Sequence, residues 1–236
     1  MIQGFDKTLT PLQYSLGFKI SRIAVDDDQA GIFSDRARDL GKSWTESRNI
    51  LASDIFNNGF NSSFAGADGV ELFSTAHVHE DGQTFRNELA TSADFGLTSF
   101  RTAMVDFRNF RDGRGKRLNL MPESILVPPD VWHDVAEIIQ SPDRPDTANR
   151  ATNVYRGFFG GAVFTILPPC DYLTDLDSWY LIGPKEDHGL VFLERESLTI
   201  EQDTDFDTRS EKVAAWGRFD VDWVNNGKGV YGSPGA

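Results

Sequence analysis

Apolar and polar side chains alternate without interruption over residues 12–20. Leu12, Tyr14, Leu16, Phe18 and Ile20 fall on one side, with Gln13, Ser15, Gly17 and Lys19 between them. A period of two predicts a strand with one buried face. Ahead of it lie Gly4, Asp6 and Pro11, an extended segment with little to anchor it. The acidic trio Asp26, Asp27 and Asp28 predicts a helix start, because carboxylates there accept from free N–H groups and oppose the positive end of the helix dipole. From about residue 30 to residue 57 the period changes. Phe33, Ala37, Leu40, Trp44, Leu51 and Ile55 make one stripe at helical spacing, and Asn57, Asn58 and Gly59 supply the stop. At roughly 1.5 Å per residue this helix runs about 40 Å, long for a compact domain in a chain of this size. The pattern predicts a spine.

Residues 59–96 are irregular and rich in Asn, Ser, Gly and Asp. A second helix is predicted over about 98–111, with Phe100, Met104 and Phe107 on one face and Asp112-Gly113 ending it. The pattern then turns α/β. Ile125 to Val127 is a short buried strand, and Pro128-Pro129-Asp130 opens a helix with Val131, Val135 and Ile138 inward, closed before Pro142. Residues 141–153 are loop-like, Gly157 to Gly161 form a turn, and Ala162 to Leu167 and Trp179 to Ile182 are two more buried strands. Two long alternating segments follow, about 190–202 and 212–224, with Val213, Ala215, Phe219, Val221 and Trp223 sharing a face. With the charged turn Asp203 to Glu211 between them they predict a long β-hairpin, and a Gly-rich tail, Gly227 to Ala236, completes the chain. The first and last parts are elongated and the middle compact. Elongated parts bury little of their own surface, so the missing burial is expected from neighbouring subunits.

The 236 residues are 39% hydrophobic and 12% aromatic, enough for one or two ordinary cores. No apolar run reaches the length of about 18 residues that crosses a bilayer. The first residues, Met1 to Asp6, carry neither the basic start nor the apolar stretch of a secretory signal. The single cysteine, Cys170, excludes an internal disulfide framework, so a chain made in a reducing cytoplasm is expected. Charge narrows the function further. Lys and Arg total 23 against 36 Asp and Glu, a net of −13. Nucleic-acid binding depends on neutralising phosphates with basic side chains, so sequence-specific binding of DNA is not expected. The one dense basic run, Arg111, Arg114, Lys116 and Arg117, reads as a solvated helix end and loop.

Catalytic patterns are sparse. His77-Val78-His79-Glu80 is the one segment with plausible metal spacing, since alternate strand residues point the same way, but zinc takes three or four ligands. Asp203-Thr204-Asp205-Phe206-Asp207 opens like a calcium loop, yet Thr208 and Ala214 stand where that loop needs Gly and Glu. Gly157-Phe158-Phe159-Gly160-Gly161 lacks the Lys-Ser/Thr of a phosphate loop. Cys170 follows Pro168-Pro169 with no basic partner in view, an inert thiol. No catalytic residue, cofactor or metal site is expected.

Several segments, in order, resemble the Mu-like prophage major head subunit family of the tailed-phage capsid lineage, the Hong Kong 97 type. They are Gly4-Phe5 with Tyr14-x-Leu16-Gly17-Phe18, Ile55 to Phe60, Leu72 to His77, and Leu118-Asn119-Leu120 through Leu126-Val127-Pro128-Pro129. His188-Gly189-Leu190, Asp205 to Thr208 and the terminal Val230 to Ala236 continue the series. The resemblance covers nearly the whole chain and implies an α+β fold: a long spine helix, an inserted α/β axial domain and a long peripheral β-hairpin. It implies residues 1–24 as the returning strand of an extended loop, 25–96 and 187–236 as a peripheral domain, and 97–186 as the axial domain. The function it implies is a structural capsid protein, not an enzyme, assembling with its own copies as pentamers and hexamers into the icosahedral shell around phage DNA. Scaffold, portal or decoration proteins are further partners, with assembly in the bacterial cytoplasm and the virion as destination. Phe5, Leu12 and Tyr14 in the loop strand and Asp203, Asp205, Asp207 and Arg209 at the hairpin turn are the expected subunit contacts. Such proteins carry an N-terminal arm and an outgoing loop strand ahead of this point; with the chain beginning at Met1, impaired closure and smaller oligomers are expected. Two other readings exist: an encapsulin-like compartment of the same fold, and a metal-dependent enzyme using His77, His79 and Glu80.

Overall fold

A computed structural model describes residues 5–28, 31–79, 81–143, 152–153, 155–156 and 164–236. Gly4, Glu80, most of the loop expected over 141–153, the Gly157–Gly161 turn and the first residues of the strand expected from Ala162 lie outside the described residues. Thirteen elements follow one another among the described residues: β1 (Leu12–Ser21), α1 (Arg22–Asp26), α2 (Ile32–Asn57), β2 (His77–Val78), β3 (Thr84–Phe85), α3 (Leu97–Arg108), β4 (Ser124–Leu126), α4 (Pro129–Gln140), β5 (Thr165–Ile166), β6 (Trp179–Ile182), β7 (Leu190–Asp205), β8 (Ser210–Trp223) and β9 (Val230–Ser233). They divide into two compact units. One is Thr8–Ala52 with Phe192–Asp222; the other is Met1–Lys7, Ser53–Val191 and Trp223–Ala236.

In the helix-and-hairpin unit, Asp28 begins α2: its two carboxylate oxygens accept from Ile32 N–H at 3.1 Å and Phe33 N–H at 2.9 Å. Three strands make a sheet in the order β1–β8–β7, with β1 antiparallel to β8 and Leu12 opposite Phe219. The α2 stripe packs on this sheet. Leu40 clusters with Val213 and Ala215, and Phe18, Phe33 and Leu198 close the cluster. Trp44 meets Phe219 edge-on at 5.1 Å, and Phe219 stacks on Tyr14 at 4.6 Å and on Phe192 at 5.5 Å. Gly217 makes room for this: a Cβ there would lie 2.5 Å from Trp44 Cη2.

The alternation expected of β1 is present, but its buried face is not complete. Leu12 remains 58% exposed and Leu16 54%. β1 is an edge strand, and the helix stripe packs on Val213, Ala215 and Phe219 of its neighbour β8, so the apolar face continues past its cover. The hairpin strands are longer than their hydrophobic patterns predict, because backbone pairing runs on through the charged residues to Asp205 and from Ser210.

The sheet unit holds the larger core. Four strands run in the order β5–β4–β6–β9, β4 parallel to β5 and antiparallel to β6, and β6 antiparallel to β9. Phe100, Ala103, Met104 and Phe107 of α3 and Val131, Val135 and Ile139 of α4 pack with Ile125, Trp179 and Leu181. Ile139, at a spacing of four from Val135, is buried where Ile138 was expected; Ile138 is half-buried. α3 stops at Arg108, since Asp112 and Gly115 close a tight turn: Asp112 N–H donates to Lys116 C=O and Gly115 N–H to Asp112 C=O. The Gly-rich segment is no tail. It folds back as β9, buried throughout, and pairs with β6 so that Tyr231 lies opposite Leu181. Gly232 fits only as glycine, with Phe73 and Tyr180 ring atoms 3.0 Å from where a Cβ would stand.

Candidate assembly surfaces

The expected contact residues fall into three places. Phe5 is 40% exposed in the sheet unit. Leu12 and Tyr14 lie on the outer strand of the other sheet. Tyr14 is held by its stack on Phe219, and Leu12 has its side chain in solvent. Asp203, Asp205, Asp207 and Arg209 come together at the turn joining β7 to β8.

That turn is built around Asp205. One carboxylate oxygen receives Lys212 Nζ at 2.7 Å, with Lys19 Nζ at 3.8 Å; the other accepts from the N–H groups of Asp207 and Thr208. The Lys212 ammonium and the Thr208 N–H hold its carboxyl well below the usual carboxylate range. Asp203 accepts from Thr204 N–H at 2.8 Å, and Arg209 adopts a left-handed φ of 47°, its carbonyl accepting from Arg22 N–H at 3.0 Å. With Asp205 engaged by Lys212, the turn does not gather three carboxylates as a calcium loop does. What it presents is Phe206, 92% exposed at its apex. The sequence carried one signal for this residue, an aromatic enclosed by aspartates where no core face passes.

The histidine pair is part of the sheet unit's framework. His77 is fully buried, with Nδ1 2.6 Å from an Asp68 carboxylate oxygen and Nε2 3.1 Å from Leu72 C=O. Both ring nitrogens therefore face oxygen atoms of the protein itself. Phe85 stacks on both His77 and His79 at 5.1 and 4.4 Å. Asn87 completes this knot, accepting from Ser74 N–H at 2.8 Å and donating to Leu72 C=O and Gly227 C=O. No group of three His, Cys, Asp or Glu suited to a metal occurs among the described residues. Cys170 sits with Sγ 3.2 Å from the Ser53 hydroxyl. A cleft of about 430 Å³ opens beside β3 and the end of α3. Its Arg86–Asp106 pair, 2.9 Å apart, is tied to β9 by the Tyr231 hydroxyl, which donates to the same carboxylate at 3.0 Å. The charged pair in this cleft is thus already satisfied within the fold, while apolar side chains stay exposed at Leu12, Leu16 and Phe206.

The model of the phage capsid protein family matches residues 6–232. This chain belongs to that family. It is a major capsid protein, a building block of the shell, and its structural neighbours carry the Hong Kong 97-type fold. The capsid of Myoviridae phage XM1 is similar with a TM-score of 0.54 at 12% identity, over 99% of this chain and 82% of that one. A phage-related protein of Bordetella bronchiseptica gives 0.56 at 9% identity, over 95% and 73%. An encapsulin complex from Synechococcus elongatus gives 0.54 at 9%, over 94% and 73%. The fold is thus shared by phage heads and an encapsulin compartment, and the family match decides for the phage capsid. No curated protein matches the chain by sequence. No helix among the described residues is long and apolar enough to cross a membrane.

Proposed function

We propose that this capsid protein is a subunit of the icosahedral shell around phage DNA and packs its outer strand and hairpin tip against neighbouring copies. The observation that carries the reading is the half-covered face of β1: Phe219 has no exposure, while Leu12, directly opposite it, keeps 58%. Full burial of a leucine stabilises by roughly 1.5–3 kcal/mol, and many such contacts per copy sum to a durable shell although each one is weak enough to reverse. Phe5, Leu12 and Tyr14 make the strand contact. Asp203, Asp205, Asp207 and Arg209 shape a turn that offers Phe206 to a neighbour. Residues 1–24 act as the returning strand of an extended loop, 25–96 and 187–236 as the peripheral domain and 97–186 as the axial domain, in a head subunit of the Mu-like kind. Pentamers and hexamers form in the bacterial cytoplasm and the finished protein resides in the virion, without catalytic activity; scaffold, portal or decoration proteins are further partners. A wall with a net of −13 repels phosphates and lets packaged DNA slide.

The test is Leu12→Asp with Leu16→Asp. By sedimentation velocity and negative-stain microscopy the wild-type chain is expected to self-associate into oligomers and the variant to stay monomeric, with unchanged thermal unfolding of the dissociated subunit. Assembly of the variant like the wild type would remove the strand contact, and a wild-type chain that never self-associates would remove the shell reading.

A further inference from the structure

We infer that the sheet unit carries two complementary charged faces, at opposite ends of its four-stranded sheet, through which one copy docks head-to-tail on the next. The inference rests on the shell reading and names a contact within it. The basic face lies at the β9 end. There α3 is tied to β9 by Tyr231 and Asp106, and the turn after it is rigid: Asp112 accepts from the N–H groups of both Arg114 and Lys116, and Arg111 donates to Gly115 C=O at 2.8 Å. Arg108, Arg111, Arg114, Lys116 and Arg117 are all exposed around it. Two apolar side chains sit among them, Val105 at 58% exposure and Leu118 at 39%; Leu118 adjoins Asn119, whose side chain accepts from Arg108 at 3.0 Å. Apolar groups within a charged rim are the usual anatomy of a protein interface.

The acidic face lies at the β5 end. Trp132 of α4 donates to Leu167 C=O at 3.2 Å, one residue beyond β5. The outer side of the same helix presents Asp130, Asp134 and Glu137 at steps of four and three, all exposed. Like charges at these spacings destabilise a helix, and no cation among the described residues forms an ion pair with any of the three.

The occupant of each face is therefore the other face of a second copy. On a chain with a net of −13, copies repel unless their few cations meet carboxylates. Two different patches on one subunit make a heterologous contact, which closes into a ring when the rotation permits.

Four full-length proteins test this by sedimentation velocity at low and high salt: wild type, Arg114→Glu with Lys116→Glu, Asp134→Lys with Glu137→Lys, and all four substitutions together. Each one-sided reversal is expected to weaken assembly at least about tenfold, as like charges then face each other, and the fourfold variant to recover it. Salt near 1 M, where screening acts within about 3 Å, is expected to weaken the wild-type contact as well. The inference is overturned if either one-sided variant assembles like the wild type, or if the fourfold variant does no better than its parents. It is overturned too if Arg114→Glu with Lys116→Glu assembles normally and only loses retention on duplex DNA, which would make the turn a nucleic-acid contact. Charge variants that assemble fully while Leu12→Asp with Leu16→Asp does not would remove this contact and leave the shell reading standing.

Discussion

His77 Nδ1 lies 2.6 Å from the carboxylate of Asp68, and neither side chain has any exposure to solvent. The pair fastens the segment before β2 to β2 itself, and the other ring nitrogen reaches back to Leu72 C=O. Breaking a buried pair from one side leaves an uncompensated group and costs about 3–5 kcal/mol. Asp68→Ala and His77→Phe are each expected to destabilise the dissociated subunit by that order, and the double variant by clearly less than the sum. Urea unfolding of the three variants measures it; strict additivity would show that the two side chains do not act as a pair.

A second expectation concerns the contact between α2 and β8. Gly217→Ala places a methyl group 2.5 Å from Trp44 Cη2 and 3.0 Å from Glu196 C=O, and relieving both contacts requires α2 and β7 to shift. Overpacking of this kind costs about 1–3 kcal/mol. Trp44→Phe removes the outer ring, so adding it to Gly217→Ala is expected to recover part of the loss in thermal unfolding, although each change alone destabilises.

Most of this architecture could be read from hydrophobic period. The α2 stripe from Phe33 to Ile55 and the two hairpin strands declare themselves over long windows, where the helical and strand periods separate well. β9 was hidden. Its run holds Gly229, Gly232 and Gly235, which read as flexible when seen alone, whereas Gly232 exists to let the backbone lie against Phe73 and Tyr180. The exposure of Leu12 was equally out of reach: period shows which face of a strand is apolar, and only tertiary packing shows how far its cover extends. The surfaces followed the same division. Asp205 and its turn were legible as a cluster of turn residues, while Phe206 takes its meaning from a position at the apex that no pattern encodes.

Alkali is expected to loosen the sheet unit through its buried phenols. Tyr180 donates to Phe56 C=O at 3.3 Å, and burial pushes its hydroxyl up from the ordinary value near 10 to about 12. Burial and the neighbouring Asp106 carboxylate raise Tyr231 as well. A raised folded-state value means the stabilisation is whole below pH 10 and declines between about 10 and 12, as the unfolded chain loses protons that the folded one keeps. For Tyr180 the decline amounts to about 2–3 kcal/mol. Tyrosinate absorbance and circular dichroism followed together against pH should show these two phenols ionising only as the fold is lost. Tyr180→Phe should move that transition to higher pH.

At the hairpin turn, fold and assembly should come apart. Phe206 is 92% exposed and makes no internal packing that its removal could cost, so Phe206→Ser is expected to alter subunit stability by no more than about 0.5 kcal/mol. Its loss should nevertheless lower the yield of assemblies, because an aromatic ring on a rigid turn is an economical anchor for a neighbouring copy. Asp205 supplies the rigidity. Its carboxyl is depressed by Lys212 and the Thr208 N–H, so its contribution is present above pH 3.8 and is lost as pH falls through the lower folded-state value. Asp205→Asn should therefore reproduce the assembly defect of Phe206→Ser at neutral pH, and acid treatment that stops above pH 4 should leave the Asp205–Lys212 contact of the turn intact. If Phe206→Ser and Asp205→Asn both assemble as well as the wild type, the apex does not meet a neighbour and its exposed phenylalanine serves some other contact.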